Sequence, residues 1–137
     1  MVKVMGRSAG FLAAHTTLST ECVDICLIPE IPVDLPEVLS TLHRKLKTDG
    51  SAIIVVAEGA GADLCSMDEV DASGNKILGK IEDVLRVEIK NYFKKQRFEY
   101  NLKYIDPSYM IRSVRANAFD QTLCLSISQN AVTQLQF

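Results

Sequence analysis

The sequence lacks the features that would place it at a membrane, outside the cell or on nucleic acid. Its 137 residues carry a formal charge of −2, so no general basic field draws it to nucleic acid or anionic lipid. No stretch approaches the ~20 apolar residues of a membrane span. The first residues lack the apolar core and cleavage site of a signal peptide. We therefore expect a cytoplasmic protein that binds neither nucleic acid nor a membrane.

Metal and disulfide motifs are also lacking. The four cysteines, at positions 22, 26, 65 and 124, form no C-x-x-C pair and no regular framework. Structural zinc needs more ligands at closer spacing, and disulfide frameworks belong to secreted proteins. We interpret the cysteines as reduced, buried thiols and predict no metal site. His15 and His43 have no cysteine or acid nearby at the spacing of a catalytic triad, so we interpret both as structural.

The composition is that of one globular domain, residues 1–137, with 47% hydrophobic and 23% charged residues. Residues 23–28 and 52–57 are apolar, β-branched runs that predict buried strands, the second being apolar on both faces like a central parallel strand. Between them, Asp34 is placed to cap a helix that Gly50 ends. The remaining predicted elements are a helix near residue 8, a polar segment at 68–75, a helix with the stripe Ile81, Leu85, Ile89 and Tyr92, a strand at 98–105 and a helix from Ala118.

This alternation favours an α/β fold with a mostly parallel sheet between helices, a Rossmann-like three-layer domain. Ligands in such folds bind beyond the carboxyl ends of the strands. Residues 58–61 and 106–112 follow predicted strands, and the small residues at 5–10 precede a helix whose N-terminus favours anions. The pattern alone predicts an α/β domain with an anion site. It leaves open the alternative that residues 58–61 form an ordinary turn and that the arginines are surface charges without a ligand.

Taken together and in order, these groups resemble the phosphofructokinases. Residues 5–7 are similar to the Met-Gly-Arg element of that family, and residues 54–61 resemble its substrate-glutamate strand. The resemblance runs from Val2 to about Val132. Three further segments are similar to plant-type, ATP-dependent members, at residues 23–30, 71–76 and 101–112.

The family transfers the γ-phosphate of ATP to the 1-hydroxyl of fructose 6-phosphate in glycolysis, with Mg²⁺. The resemblance implies that Glu58 accepts hydrogen bonds from sugar hydroxyls and that a Tyr-x-x-Arg element meets the 6-phosphate, for which a guanidinium fork is well suited. It also implies an allosteric homotetramer, in the cytoplasm or a plastid. The substrate-binding residues implied by position are Met5, Gly6, Arg7, Glu58, Tyr109, Met110, Ile111 and Arg112.

The family's glycine-rich ATP loop and its Thr-Ile-Asp-x-Asp-type catalytic segment are not found in these 137 residues. We therefore assign no catalytic residue, and we expect the residues that bind ATP and Mg²⁺ to lie mostly outside the chain. The prediction is one lobe of the phosphofructokinase fold, the fructose 6-phosphate-binding lobe, truncated at both ends and inactive alone. Two alternatives stay open: a pyrophosphate-dependent phosphofructokinase, and a non-catalytic sugar-phosphate-binding or regulatory fragment.

Overall fold

A small parallel sheet covered by helices on both faces organises the fold. The computed structural model describes residues 1–70 and 76–135. No helix in these two ranges is long and apolar enough to cross a membrane. The elements in chain order are β1 (Val2–Val4), α1 (Phe11–Thr20), β2 (Ile25–Leu27), α2 (Leu35–Asp49), β3 (Ile54–Ala57), β4 (Ser66–Val70), β5 (Lys76–Leu78), α3 (Ile81–Gln96), α4 (Ser108–Ser113) and α5 (Ala118–Leu135).

The central strand of the sheet is β3, which pairs in parallel with β1 on one side and with β2 on the other. All four of its residues are buried. Val55 and Ala57 pack with Ala13 of α1, whereas Ile54 and Val56 belong to the larger core formed with α2 and α3. Successive side chains of a strand point to opposite faces, so a strand covered on both faces is apolar throughout. The predicted three-layer α/β arrangement is confirmed.

Helix α2 begins and ends where the sequence predicts. The carboxylate of Asp34 accepts a hydrogen bond from the backbone N–H of Glu37 at 3.1 Å, an N-cap that contributes about 1 kcal/mol. Gly50 takes a left-handed conformation, with φ 75°, and its N–H donates to the carbonyl of Leu46. Leu35, Leu39, Leu42 and Leu46, spaced four, three and four residues apart, form a leucine stripe that lies in the core or packs against it.

The buried stripe of α3 differs from the prediction at its last position. Phe93, and not Tyr92, is fully buried, and Tyr92 lies at the edge of the core. His43 of α2 contacts the rings of Tyr92, Phe93 and Phe98, with centroids 5.2 to 5.7 Å away. His43 is therefore the structural histidine that was predicted, part of an aromatic cluster between α2 and α3.

The predicted strand at residues 98–105 is wrong. The segment joins the sheet by a single bridge, between Val2 and Ile105, in which Ile105 exchanges backbone hydrogen bonds of 3.0 Å with Met1 and Lys3. Its alternating pattern arises because every second side chain packs on the core, and not because a ladder forms. The packed side chains are Phe98, Tyr100, Leu102 and Tyr104.

Several short elements were not predicted. They are β1, α4 and the antiparallel pair β4–β5, whose first strand ends inside the predicted polar segment and whose second strand begins just after it. Helix α1 begins at Phe11 and not near Ser8. Residues 71–75, which carry part of the predicted polar segment and of the family resemblance, lie outside the described residues, as do residues 136–137.

The cysteines are only partly as predicted. All four are free thiols in the described chain, but Cys22 and Cys124 are exposed, whereas Cys26 and Cys65 are partly buried. Burial and nearby carboxylates raise the pKa of the Cys65 thiol, which keeps it protonated at neutral pH. The prediction of buried thiols is wrong for Cys22, which follows α1 in an exposed loop, and for Cys124, which lies on α5, where no described residue is buried.

Candidate functional site

The carboxyl ends of β1 and β3 lie side by side and bring two of the predicted groups together. The parallel register pairs Val4 with Ala57, so the chain leaves both strands at one edge of the sheet. Beyond the strands, the Glu58 N–H donates to the carbonyl of Val4 at 3.0 Å, and the Gly59 N–H donates to the carbonyl of Gly6 at 2.9 Å. The Met-Gly-Arg element and the Glu58 turn therefore form one continuous edge.

Glycine is required where these two turns touch. A Cβ added to Gly59 would overlap the carbonyl oxygen of Arg7 and lie 2.7 Å from its carbonyl carbon. Gly6 has φ 143°, a conformation that side chains rarely adopt, and a Cβ there would lie 2.6 Å from the carbonyl oxygen of Ala9. The two glycines let the backbones approach directly, which fixes where the flanking side chains of Arg7 and Glu58 leave the sheet.

The third predicted group reaches the same edge through α4. Arg112, in the last turn of α4, places Nε 3.4 Å from the Sδ of Met5, although 107 residues separate them. Arg7, Glu58 and Arg112 are all exposed. The remaining predicted residues, Tyr109, Met110 and Ile111, lie on α4 with exposures of 86%, 65% and 43%. The edge thus presents two guanidinium groups and one carboxylate to solvent.

The anion site predicted at the start of α1 is already used by the chain itself. The N–H of Gly10 donates to Oε1 of Glu30, which follows β2, at 2.8 Å. A Cβ on Gly10 would overlap the side chain of Ile28, so this close approach also needs glycine. An internal carboxylate therefore occupies the helix position at which an external anion was predicted to bind.

A charged network that was not predicted lies beside the site. Lys3 of β1 places Nζ 2.8 Å from Oδ2 of Asp106 and 3.3 Å from Oε1 of Glu82. Burial lowers the pKa of Lys3, but the hydrogen bond to Asp106 and the charge of Glu82 outweigh this and raise the pKa overall. Hydrogen bonds from Lys3 and Ser108 lower the pKa of Asp106 well below its usual range. The sequence feature that could have indicated this network is Lys3, a lysine inside an otherwise apolar run.

Metal-ligating side chains do not cluster in the part of the chain that is described. No group of three or more His, Cys, Asp or Glu side chains converges there closely enough to hold a metal ion. Mg²⁺ is bound by one or two carboxylates together with substrate phosphates in phosphoryl-transfer sites. We therefore assign no magnesium ligand to these residues.

Comparison with known proteins identifies the family. The family model for phosphofructokinase matches residues 1–135, nearly the whole chain. The chain belongs to the phosphofructokinase family. Its sequence is 49% identical over 136 residues to ATP-dependent 6-phosphofructokinase 5, chloroplastic, of Arabidopsis thaliana, covering 96% of this chain and 25% of that relative. It is 41% identical to the ATP-dependent 6-phosphofructokinase of Amycolatopsis methanolica, covering 96% of this chain and 31% of the relative.

Solved phosphofructokinases have the same fold. The pyrophosphate-dependent phosphofructokinase from Marinobacter aquaeolei superposes with a TM-score of 0.66 at 21% identity, covering 98% of this chain and 31% of that one. The pyrophosphate-dependent phosphofructokinase from Nitrosospira multiformis gives 0.62 at 28% identity, covering 96% of this chain and 31% of that one. The predicted membership of the phosphofructokinase family and the predicted fold class are confirmed. The chain spans about a quarter to a third of the length of the curated relatives it matches.

Proposed function

We propose that this chain forms the fructose 6-phosphate-binding part of an ATP-dependent 6-phosphofructokinase. The observation that carries the proposal is the contact between Arg112 and Met5, which joins α4 to the Met-Gly-Arg element at the sheet edge. Glu58 follows the neighbouring strand at that same edge. Three segments that are distant in sequence thus supply the chemistry of one polar ligand.

The chemistry of this edge suits a sugar phosphate. A phosphomonoester carries close to two negative charges at neutral pH, and guanidinium groups bind it with charge-assisted, often bidentate hydrogen bonds. Arg7 and Arg112 supply two such groups. The Glu58 carboxylate accepts hydrogen bonds from sugar hydroxyls, which are donors that an arginine cannot satisfy. Tyr109, Met110 and Ile111 complete the sugar-phosphate contacts from α4.

ATP is the proposed phosphoryl donor. Relatives that share 41% to 49% identity with the chain are named ATP-dependent 6-phosphofructokinases, whereas the pyrophosphate-dependent structures share 21% and 28%. ATP and Mg²⁺ would be held by residues outside this chain. A homotetramer, allosteric control and a cytoplasmic or plastid location are part of the same proposal, and one close relative is named as chloroplastic.

Arg112→Ala tests the proposal in a chimera in which residues 1–132 replace the equivalent segment of a plant ATP-dependent 6-phosphofructokinase. Hydrogen bonds to charged groups contribute about 1.5–3 kcal/mol, so we expect kcat/KM for fructose 6-phosphate to fall roughly ten- to 150-fold. The KM for ATP is expected to change little. Arg112→Lys is expected to recover only part of the loss, because a point charge does not reproduce the fork.

Glu58→Gln is the comparison variant. It removes the carboxylate and leaves both arginines, so discrimination among sugars by their hydroxyls is expected to weaken while phosphate recognition is kept. If Arg112→Ala folds normally and its kcat/KM stays within about twofold of the unmodified chimera, the site assignment is wrong.

A further inference from the structure

The ammonium group of Lys3 lies between two carboxylates that come from different parts of the chain. Asp106 precedes α4, and Glu82 lies in the first turn of α3. Glu82 is a buried charged residue, 8% exposed, and the Lys3 side chain is 17% exposed. Two carboxylates near one another repel unless a cation lies between them. Lys3 is therefore the group that lets Asp106 lie beside α3.

Tyr104 closes this network. Its hydroxyl lies 3.4 Å from Oε1 of Glu82 and 3.4 Å from Oδ2 of Asp106, and its one proton serves one carboxylate at a time. Burial, followed by the charge of Glu82, raises the pKa of Tyr104, so the hydroxyl stays protonated as a donor. We call Lys3, Glu82, Tyr104 and Asp106 the Lys3 network.

The Lys3 network fixes the start of α4. Oδ1 of Asp106 accepts hydrogen bonds from the backbone N–H of Ser108, at 3.1 Å, and from the Ser108 hydroxyl. None of the six residues of α4, all of them described, is buried. The helix is therefore held by polar contacts at its two ends, Asp106 at the start and the contact between Arg112 and Met5 at the end.

We propose that Lys3, acting through Asp106, is a positioning residue that holds α4, and with it Arg112, against the carboxyl end of β1. The inference deepens the proposed function and rests on it, because Arg112 is the proposed phosphate ligand. Lys3 itself touches no substrate. Loss of the ammonium group leaves two carboxylates facing each other, and their repulsion moves Asp106 and the start of α4 away from the sheet.

The chain contains a matched control at the opposite edge of the sheet. Nζ of Lys45 lies 3.1 Å from a carboxylate oxygen of both Asp24 and Asp49. Asp24 precedes β2 and accepts a hydrogen bond from the N–H of Ile53, just before β3, so this pair lies at the amino ends of the strands. Lys45→Leu removes a lysine from between two carboxylates without touching α4.

The position of α4 is measured by NMR on the full 137-residue chain with labelled methionine methyl groups. Met5 contacts Arg112, and Met110 lies on α4, so their two signals report the helix directly. Lys3→Leu is expected to shift the Met5 signal in the direction in which Arg112→Ala shifts it, and Lys3→Arg to keep it near its original position. Lys45→Leu is expected to leave both signals unchanged. Unchanged Met5 and Met110 signals in a folded Lys3→Leu chain would overturn the proposal.

The effect on the site is measured by titrating fructose 6-phosphate into the same variants in a calorimeter. Lys3→Leu is expected to weaken binding roughly three- to thirtyfold, less than Arg112→Ala, because the guanidinium is still present. The double variant Lys3→Leu, Asp106→Asn is expected to bind more tightly than Lys3→Leu alone. Its amide still accepts from the Ser108 N–H and no longer repels Glu82. This variant also tests the proposal if Lys3→Leu alone does not fold.

The outcomes separate the two proposals. Equal losses for Lys3→Leu and Lys45→Leu would mean a general loss of stability and would overturn the positioning role. A double variant that binds fructose 6-phosphate no better than Lys3→Leu would also overturn the positioning role. If the unmodified chain binds no fructose 6-phosphate, the proposed function fails, and the methionine signals still decide whether Lys3 holds α4.

Discussion

The contact between the two strand-end turns gives the sharpest structural test, through Gly59→Ala. Gly59 does not have a positive φ, so the backbone accepts alanine and only the space around the new methyl decides the outcome. That space is taken by the Arg7 backbone, since the added Cβ would lie 2.7 Å from the carbonyl carbon of Arg7 and 3.2 Å from its Cα. No rotamer change relieves an overlap with backbone atoms. The turns must therefore separate by about 1 Å or more to restore ordinary contact distances.

The expected decrease in the free energy of unfolding of Gly59→Ala has two sources. Forced overpacking costs about 1–3 kcal/mol, and separating the turns weakens the hydrogen bond from the Gly59 N–H to the Gly6 carbonyl, which contributes about 0.5–1.5 kcal/mol. We expect the free energy of unfolding to fall by about 2–4 kcal/mol. For a domain of this size, 1 kcal/mol lowers Tm by about 4 °C, so the expected decrease is about 8–16 °C.

Gly50→Ala is the matched control. Gly50 has φ 75° and no atom within 4 Å of an added Cβ, so alanine there meets only the conformational penalty of about 1–2 kcal/mol. Both variants are measured by thermal unfolding, followed by circular dichroism, and by fructose 6-phosphate binding. Gly59→Ala is expected to weaken binding, because it displaces Arg7 and Glu58, whereas Gly50→Ala is not. A Gly59→Ala chain with unchanged Tm and unchanged affinity would refute the reasoning.

Two further predictions concern α5 and pH. Helix α5 is exposed along its described length, with Phe119 75% and Leu135 87% exposed, so the chain is expected to bind a dye specific for apolar surface and to self-associate as concentration rises. A monomer that binds no dye and unfolds cooperatively above ~60 °C would contradict this. The lowered pKa of Asp106 means that its stabilisation is full above the unfolded-state pKa of about 4 and is lost as pH falls through the folded-state pKa. Asp106→Asn is therefore expected to make the fall in urea-unfolding free energy below about pH 4 shallower, and an unchanged acid profile would contradict the assigned role of Lys3.

The helices and strands that were predicted correctly are those in which a residue pattern extends over the whole helix or strand. β3 carries an uninterrupted apolar run, and α2 has a capping aspartate, a leucine stripe and a terminal glycine, so each signal supports the others. The segment at 98–105 was mistaken for a strand because alternation appears wherever one side of a chain packs, with or without a hydrogen-bonded ladder. β1, which is three residues long, was missed, whereas the equally short β2 was found within the apolar run at 23–28.

The sequence predicted which residues belong to the candidate site, but it did not predict the contacts around them. Its members were found by resemblance, and the parallel topology then explains why residues 5–7 and 58–59 meet. The partners of Lys3 were beyond sequence reasoning, since 79 residues separate Lys3 from Glu82 and a salt bridge leaves no periodic trace. The same holds for Glu30, whose hydrogen bond to Gly10 takes up the helix position predicted for an anion.

Stability and binding are assigned to different residues in this fold, which makes the binding tests interpretable. The position of the site depends on buried groups, namely the four residues of β3 and the close approach of Gly59. The proposed ligand groups, Arg7, Glu58 and Arg112, are exposed and lie outside the core. Exposed substitutions away from special contacts change stability by about 0.5 kcal/mol or less. Glu58→Gln is therefore expected to shift Tm by no more than about 2 °C, so a large loss of affinity in this variant reports the site and not unfolding.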